Sequence, residues 1–185
     1  MPRPAWGLPL PLTSERLRLR EHRAGDLDDL VVFHGDEEVT RYTPWPTRDR
    51  ARTHDALTRR IGQRQAAAAG EAVVLAVEEI DSGTVIGEAL LLREADDEAV
   101  LGYAIRRDRW GRGLATEAAS TLVDAGFQEL GLRRASAVVV PANVASIEVL
   151  RKLGFTPVSE TVDRATFELT AERWRVHRAR HPAAG

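Results

Sequence analysis

Arg109-Trp110-Gly111-Arg112-Gly113-Leu114-Ala115-Thr116-Glu117-Ala118 joins two runs of opposite character. Before it, Ala99 to Ile105 reads as a strand. After it, Leu114, Ala118, Leu122, Val123 and Phe127 recur at helical spacing as far as about Leu130, where Gly131 is a stop signal. Strand, glycine-spaced loop and helix together aim several backbone N–H groups at one point, an arrangement that suits a phosphate. Glycine at 111 or 113 lets the chain turn tightly and lets a ligand approach the backbone. Glycine-rich turns also end strands for structural reasons alone, so the loop proposes a ligand class without deciding it.

Outward from this unit, helices come first, then antiparallel strands, then the strand–loop–helix–strand segment, an order that predicts a mixed α/β sheet. Leu17-Arg18-Leu19-Arg20 alternates as a half-exposed strand. Asp26 is placed to cap a helix carrying Leu27, Leu30, Val31 and His34, with Gly35 at its end. Two prolines keep residues 41–47 from being helical throughout. A second helix is expected from about Arg48 to Ala69, closed by Gly70, because its tail is rich in alanine. Ala72–Ile80 and Thr84–Leu92 read as strands joined by Asp81-Ser82-Gly83, a hairpin signal, and Glu94 to Glu98 as an acidic turn. Arg134–Val140 is a buried strand, and Asn143 starts a short helix with Ile147, Leu150 and Leu153 on one face and Gly154 as its stop. Phe155–Ser159 and Arg164–Leu169 are further strand-like runs. The 185 residues fit one domain, with an extended segment over 1–11 and a flexible tail over 176–185.

Composition narrows the function classes. Charged residues make up 29% and hydrophobic residues 43%, as in an ordinary globular protein with a real core. A formal net charge of −2 supplies no general electrostatic footprint for nucleic acid. There is no cysteine, which removes disulfides, thiolate nucleophiles and cysteine metal sites together. No apolar run reaches the length of a membrane span, and the first residues lack a continuous apolar segment, so no membrane association and a cytoplasmic location are expected. His177 and His181 fall one helical turn apart, but two histidines without further ligands do not make a metal site, and none is expected. The glycine pair lacks the third glycine of a dinucleotide fingerprint, and no Gly-Lys-Ser/Thr of a nucleoside-triphosphatase loop occurs.

A second cluster, Asn143-Val144-Ala145-Ser146-Ile147 followed by Lys152-Leu153-Gly154-Phe155, changes the weight of the first. With the glycine loop, in this order, it resembles the GNAT acetyltransferases. Thr13 to Arg20, Arg41-Tyr42-Thr43-Pro44-Trp45, Ile86-Gly87, Leu101-Gly102-Tyr103 and Trp110 to Glu117 narrow the likeness to the branch that includes the ribosomal-protein N-terminal (RimJ/RimL-type) acetyltransferases. The resemblance covers about residues 12 to 175. It implies the GNAT fold, a mostly antiparallel central sheet of about six or seven strands flanked by helices. It also implies acetyl-CoA as co-substrate and a primary amine as acceptor, first a peptide or protein N-terminus, otherwise a small molecule such as an amino acid, polyamine or antibiotic. A CoA-binding module that has lost catalysis is the reading from a different class. A homodimer is an open alternative to a monomer.

Carried over residue by residue, the resemblance places the CoA pyrophosphate on the amides of Gly111, Arg112, Gly113, Leu114, Ala115 and Thr116, with Arg112 adding charge. It sets the strand through Ile105 and Arg107 against the pantetheine arm, places Asn143 at the cofactor and nominates Ser146 near the CoA sulfur. Tyr42 and Trp45 would border the acceptor groove, although either ring fits core packing equally well. The base is where the likeness departs: Val100 and Val158 stand where relatives often carry carboxylates. The remaining candidates are Glu88, Glu98 and Glu160, and for Glu88 a solvent-facing strand position is the competing reading. A water chain with no dedicated base is the other alternative.

Overall fold

The computed structural model describes residues 5–181. Its centre is an eight-stranded sheet in the order β2-β3-β5-β6-β7-β8-β10-β9, an α/β arrangement one or two strands wider than the resemblance implied. The strands are β2 (Leu12–Thr13), β3 (Leu17–Arg20), β5 (Ala72–Glu79), β6 (Val85–Ala95), β7 (Glu98–Ile105), β8 (Arg134–Val139), β9 (Thr156–Glu160) and β10 (Ala165–Thr170). A separate two-stranded ribbon pairs β1 (Trp6–Gly7) with β4 (Gln65–Ala66). The helices are α1 (Leu27–His34), α2 (Glu37–Thr40), α3 (Arg50–Arg60), α4 (Leu114–Glu129), α5 (Val144–Lys152) and α6 (Ala171–Arg180). None of the helices among the described residues is long and apolar enough to cross a membrane.

Strand periodicity divides the sheet between two layers. Leu19, Val73, Leu75, Leu91 and Ala99 join Leu122 of α4 in the main core. Ala76 and Val85 face the other way, against Leu30, Phe33 and Leu57 of α1 and α3. Every adjacent pair in the large sheet is antiparallel except β7 and β8. Those two run parallel and pair only at Glu98↔Arg134, Ala99↔Ala135 and Val100↔Ser136. Beyond that, β7 stays with β6 as far as Ile105 and β8 stays with β10 as far as Val139. The sheet therefore splays in its middle, and the loop that opens α4 stands at the wide end.

Four local expectations are corrected. Helix α3 stops at Arg60: Ile61 is extended, Gly62 takes φ +101°, and the alanine-rich stretch supplies β4 instead. The expected polar helix had no apolar face to bury, whereas Ala66 in the ribbon lies opposite the buried Trp6. Arg20 is not on a half-exposed face; it is 6% exposed and bonds both oxygens of Asp26 and one of Glu78. Asp26 consequently does not cap α1 with its side chain; its carboxylate takes Arg20 and the Arg23 N–H. The C-terminal segment is helical through Arg180, because Trp174 stacks on Phe127 at 5.1 Å and donates its indole N–H to Asp124. Residues 1–4 and 182–185, the ends of the extended segment and of the expected tail, lie outside the described residues.

Candidate active site

The glycine loop is built to leave its amides free. After a 3₁₀ turn over Arg107–Arg109, Gly111 and Gly113 take φ +73° and +77°, a region only glycine enters without strain. Gly113 is the N-cap of α4 and has no side chain to offer the first turn. The amides from Gly111 to Thr116 thus find no acceptor among the described residues, as the start of an uncapped helix requires. Trp110 donates its indole N–H to the Ile105 carbonyl at 2.7 Å and so ties the loop to the end of β7. From behind, Arg16 donates to the Arg112 carbonyl at 2.9 Å. Glu117, in the first turn of α4, accepts from Ser14 Oγ, Arg16 N–H and Arg16 Nε, each at 2.8 Å. Burial works against the Glu117 charge, but these donors outweigh it and hold its pKa below the usual carboxylate range. The negative charge closest to the helix start is therefore neutralised away from the mouth.

The splay makes a groove of about 580 Å³ that runs from this loop to the segment after α1. Ile105, Gly111, Gly113 to Thr116, Asn143 and Ser146 all line it, so most of the predicted cofactor residues do meet in one place. Arg112 lies in the same loop, exposed and with no ion-pair partner among the described residues. Arg107 does not meet them. It follows the end of β7, and its guanidinium reaches Asp36 at 3.0 Å, so the strand edge facing the splay ends at Ile105. Asn143 caps α5, its side-chain oxygen accepting the Ser146 N–H at 3.2 Å. That cap sets Ser146 on the first turn, with its Oγ 2.8 Å from the Tyr103 hydroxyl of β7. The splay is thus bridged by one hydroxyl pair. Burial pushes the Tyr103 phenol up to about 12, against the hydrogen bond from Ser146, so the phenol stays neutral.

The carboxylates nominated from the sequence lie elsewhere. Glu88 is neither solvent-facing nor on the groove wall. It is 3% exposed beneath α1 and α3, with Arg60 Nε at 2.5 Å, His22 Nε2 at 3.4 Å and His34 Nε2 at 3.5 Å. Its cross-strand neighbours Ala76 and Ala104 are small enough to leave it room. Arg60 makes the charged contact, while the buried His22 ring is neutral and only lies against the carboxylate. Burial penalises the Glu88 charge, yet His34 and Arg60 more than offset it and its pKa falls. A carboxylate held down in this way is a poor base at neutral pH. Glu98 is bound to Arg133 and Arg134, and Glu160 is exposed on edge strand β9.

Tyr42 lines the groove, whereas Trp45 is not among its lining residues. The Trp45 ring meets His34 edge-on at 6.5 Å and lies under the guanidinium groups of Arg48 and Arg60, at 5.4 and 5.9 Å. It closes the buried charge cluster. The groove instead presents a residue that the sequence reading missed: Glu38 of α2, the one carboxylate among its lining residues, ion-paired with Arg41. Nothing local marks Glu38, because it is one of several acids in the Gly35–Glu38 turn. His177 and His181 stack on each other, and no group of three metal-ligating side chains occurs among the described residues.

A family model for the acetyltransferase (GNAT) domain matches residues 16–156. The uncharacterized N-acetyltransferase p20 of Bacillus licheniformis is 34% identical over 78% of this chain and 81% of its own length. The uncharacterized N-acetyltransferase YoaA of Bacillus subtilis (strain 168) is 31% identical over the same shares, 78% and 81%. Among solved structures, a GNAT-family acetyltransferase from Bacillus anthracis superposes with a TM-score of 0.77 at 20% identity, covering 88% of this chain and 99% of that one. A protein provisionally assigned as a ribosomal-protein-serine acetyltransferase from Vibrio cholerae gives 0.73 at 19% identity, with coverage of 89% and 99%. The chain belongs to the GNAT acetyltransferase family. The fold is one that uses acetyl-CoA, and the amides at the start of α4, beside a strand edge with no neighbour among the described residues, fit that molecule's pyrophosphate and amide-bearing arm.

Proposed function

We propose that this acetyltransferase passes the acetyl group of acetyl-CoA to a primary amine by direct attack in a ternary complex. We further propose that the preferred acceptor is the α-amine of a peptide or protein N-terminus, as in the RimJ/RimL-type branch. The amides from Gly111 to Thr116 hold the pyrophosphate, Arg112 adds charge at the rim, the β7 edge up to Ile105 meets the pantetheine arm, and Ser146 sits beside the sulfur. Acetyl-CoA supplies an activated acyl carbon with a thiolate leaving group. The amine enters from the Glu38–Tyr42 end, where the Glu38 carboxylate attracts it as an ammonium.

The observation that carries the choice of amine is that Glu38, the one carboxylate among the residues lining the groove, is already engaged by Arg41, which leaves no free carboxylate among them. A peptide α-amine has a reference pKa of about 7.7–8.0, so roughly a tenth or more of it is neutral at pH 7. A lysine side chain, at about 10.4, is neutral to only about 0.04%. A groove in which water removes the proton suits the first and not the second. The Vibrio cholerae protein, whose name cites ribosomal-protein serine, supports the same acceptor class. A second reading, a free amino acid, draws on the Glu38–Arg41 ion pair, which matches both charges of a zwitterion. CoA release should be measured with peptides bearing free N-termini, the same peptides N-blocked but containing lysine, free amino acids and polyamines. Turnover of the free-N-terminus peptides alone is expected. Turnover confined to amino acids or polyamines overturns the peptide assignment.

A further inference from the structure

We infer that Tyr103 is a positioning residue for Ser146: by donating its proton to Ser146 Oγ, it frees the serine O–H to turn toward the leaving sulfur. This rests on the acetyl-transfer reading above. The Tyr103 hydroxyl lies 2.8 Å from Ser146 Oγ and 3.1 Å from the Ser146 carbonyl oxygen. A phenol has one proton and here meets two acceptors. If the proton goes to the carbonyl, the serine keeps its short contact only by donating its own proton to the phenol oxygen, and that proton is then spent. If the phenol proton goes to Oγ, the serine proton points into the groove. The pair thus has two hydrogen-bond states, and only one of them offers a donor to sulfur.

Magnitudes decide what that donor does. Burial raises the Tyr103 phenol to about 12, while a reference thiol lies at about 8.5. Moving a proton from tyrosine through serine to the thiolate would run uphill by about three and a half units. The pair therefore stabilises the departing charge by hydrogen bonding and does not protonate it. As the C–N bond forms, the C–S bond breaks with its electron pair on sulfur. The nitrogen proton passes to water in the groove, and the thiolate takes a proton from solvent after release. Before charge develops, the carbonyl-facing state competes. As the sulfur becomes anionic, the Oγ-directed state gains a charge-assisted bond, so the contact strengthens where it lowers the barrier.

The test compares wild type with Tyr103→Phe, Ser146→Ala and the double variant, measuring kcat and KM for acetyl-CoA with an amine acceptor. The same four proteins are assayed for slow acetyl-CoA hydrolysis without amine, since the leaving sulfur is the same. Phenylalanine keeps the ring, and the acetyl-CoA melting shift of each variant reports intact folding and binding. Tyr103→Phe is expected to lower kcat by about 2- to 12-fold, as loss of a neutral hydrogen bond to Oγ predicts, with KM little changed. In the Ser146→Ala background the same substitution should change kcat by less than about twofold, because its effect runs through Oγ. An unchanged kcat in Tyr103→Phe, or an effect of equal size with and without Ser146, overturns the inference. If no amine is turned over but hydrolysis shows the predicted pattern, the acceptor assignment fails and the role of Tyr103 stands.

Discussion

Replacing Gly113 separates the ligand role of the loop from its structural role. With φ +77°, this residue lies in the left-handed region, and a Cβ added there meets only Arg16 Nη2, at 3.7 Å. Substitution therefore costs backbone strain and not crowding. The strain is about 1–2 kcal/mol for a residue other than glycine, and less for asparagine, which tolerates this conformation. For a chain of this size that is about 2–8 °C in Tm. Acetyl-CoA at about 100 times its Kd should stabilise the wild type by about 2.7 kcal/mol, or about 5–11 °C. Gly113→Val and Gly113→Asn both add a side chain to a residue that lines the groove, within the run of unpartnered amides from Gly111 to Thr116. Both should therefore lose most of that shift while keeping a cooperative melt and a native circular dichroism spectrum. The assay is thermal melting with and without acetyl-CoA. A folded Gly113→Asn variant that keeps the full shift would refute the assignment of this loop to the pyrophosphate.

Two further outcomes follow from residues around the site. Arg16→Ala removes the brace to the Arg112 carbonyl and to Glu117, a half-exposed ion pair worth under about 1 kcal/mol in stability. Its effect should appear as weaker acetyl-CoA binding by calorimetry, and an unchanged Kd would show that the loop holds its shape unaided. The second outcome concerns pH. Burial lowers His22 from 6.5 to about 4, so as pH falls the unfolded chain takes up the proton first. The stability tied to neutral His22 is fully present above pH 6.5 and is lost on descent to about pH 4, on the order of 3 kcal/mol in all. Glu88, whose pKa is also lowered, adds a loss in the same direction as pH falls below its unfolded value. Urea unfolding across this range should show the decline, and His22→Gln should flatten its upper part. A wild type equally stable at pH 6.5 and pH 5 contradicts the assignment.

What could be read from the chain was local. The strand before Arg109, the loop, the helix to Glu129 and the Asn143 cap each depend on residues within a few positions of one another, and each signal matched the element found. The misread parts are long-range. Arg20 alternates like a surface residue, and only Asp26 and Glu78 arriving from other segments make it an interior one. The alanine run after Arg60 has helical propensity, and only Trp6, far away in the chain, makes a strand of it. Glu88 was a candidate base because its strand position allows either face, and the face is settled by α1 and α3 covering it. Ser14 to Arg16 and Glu117 both fall in family-like stretches, but that they bond each other across about a hundred residues is visible only in the fold. The Tyr103–Ser146 pair has the same character, two ordinary residues joined by the splay.

That splay has a consequence for solubility. A strand edge with unpaired N–H and C=O groups is a template for pairing with another chain, and proteins usually blunt such edges with charge, proline or a covering helix. Between Leu101 and Ala104 this protein keeps an edge bare, since among the described residues β7 has no strand neighbour there on the β8 side. It can do so because the edge faces inward. The wall formed by β8 and α5 stands across the splay from it, so a strand of a second protein would have to enter the groove to pair there. The same divergence that supplies hydrogen-bonding groups for a ligand sets them inside a groove and not along the outer edge of the sheet.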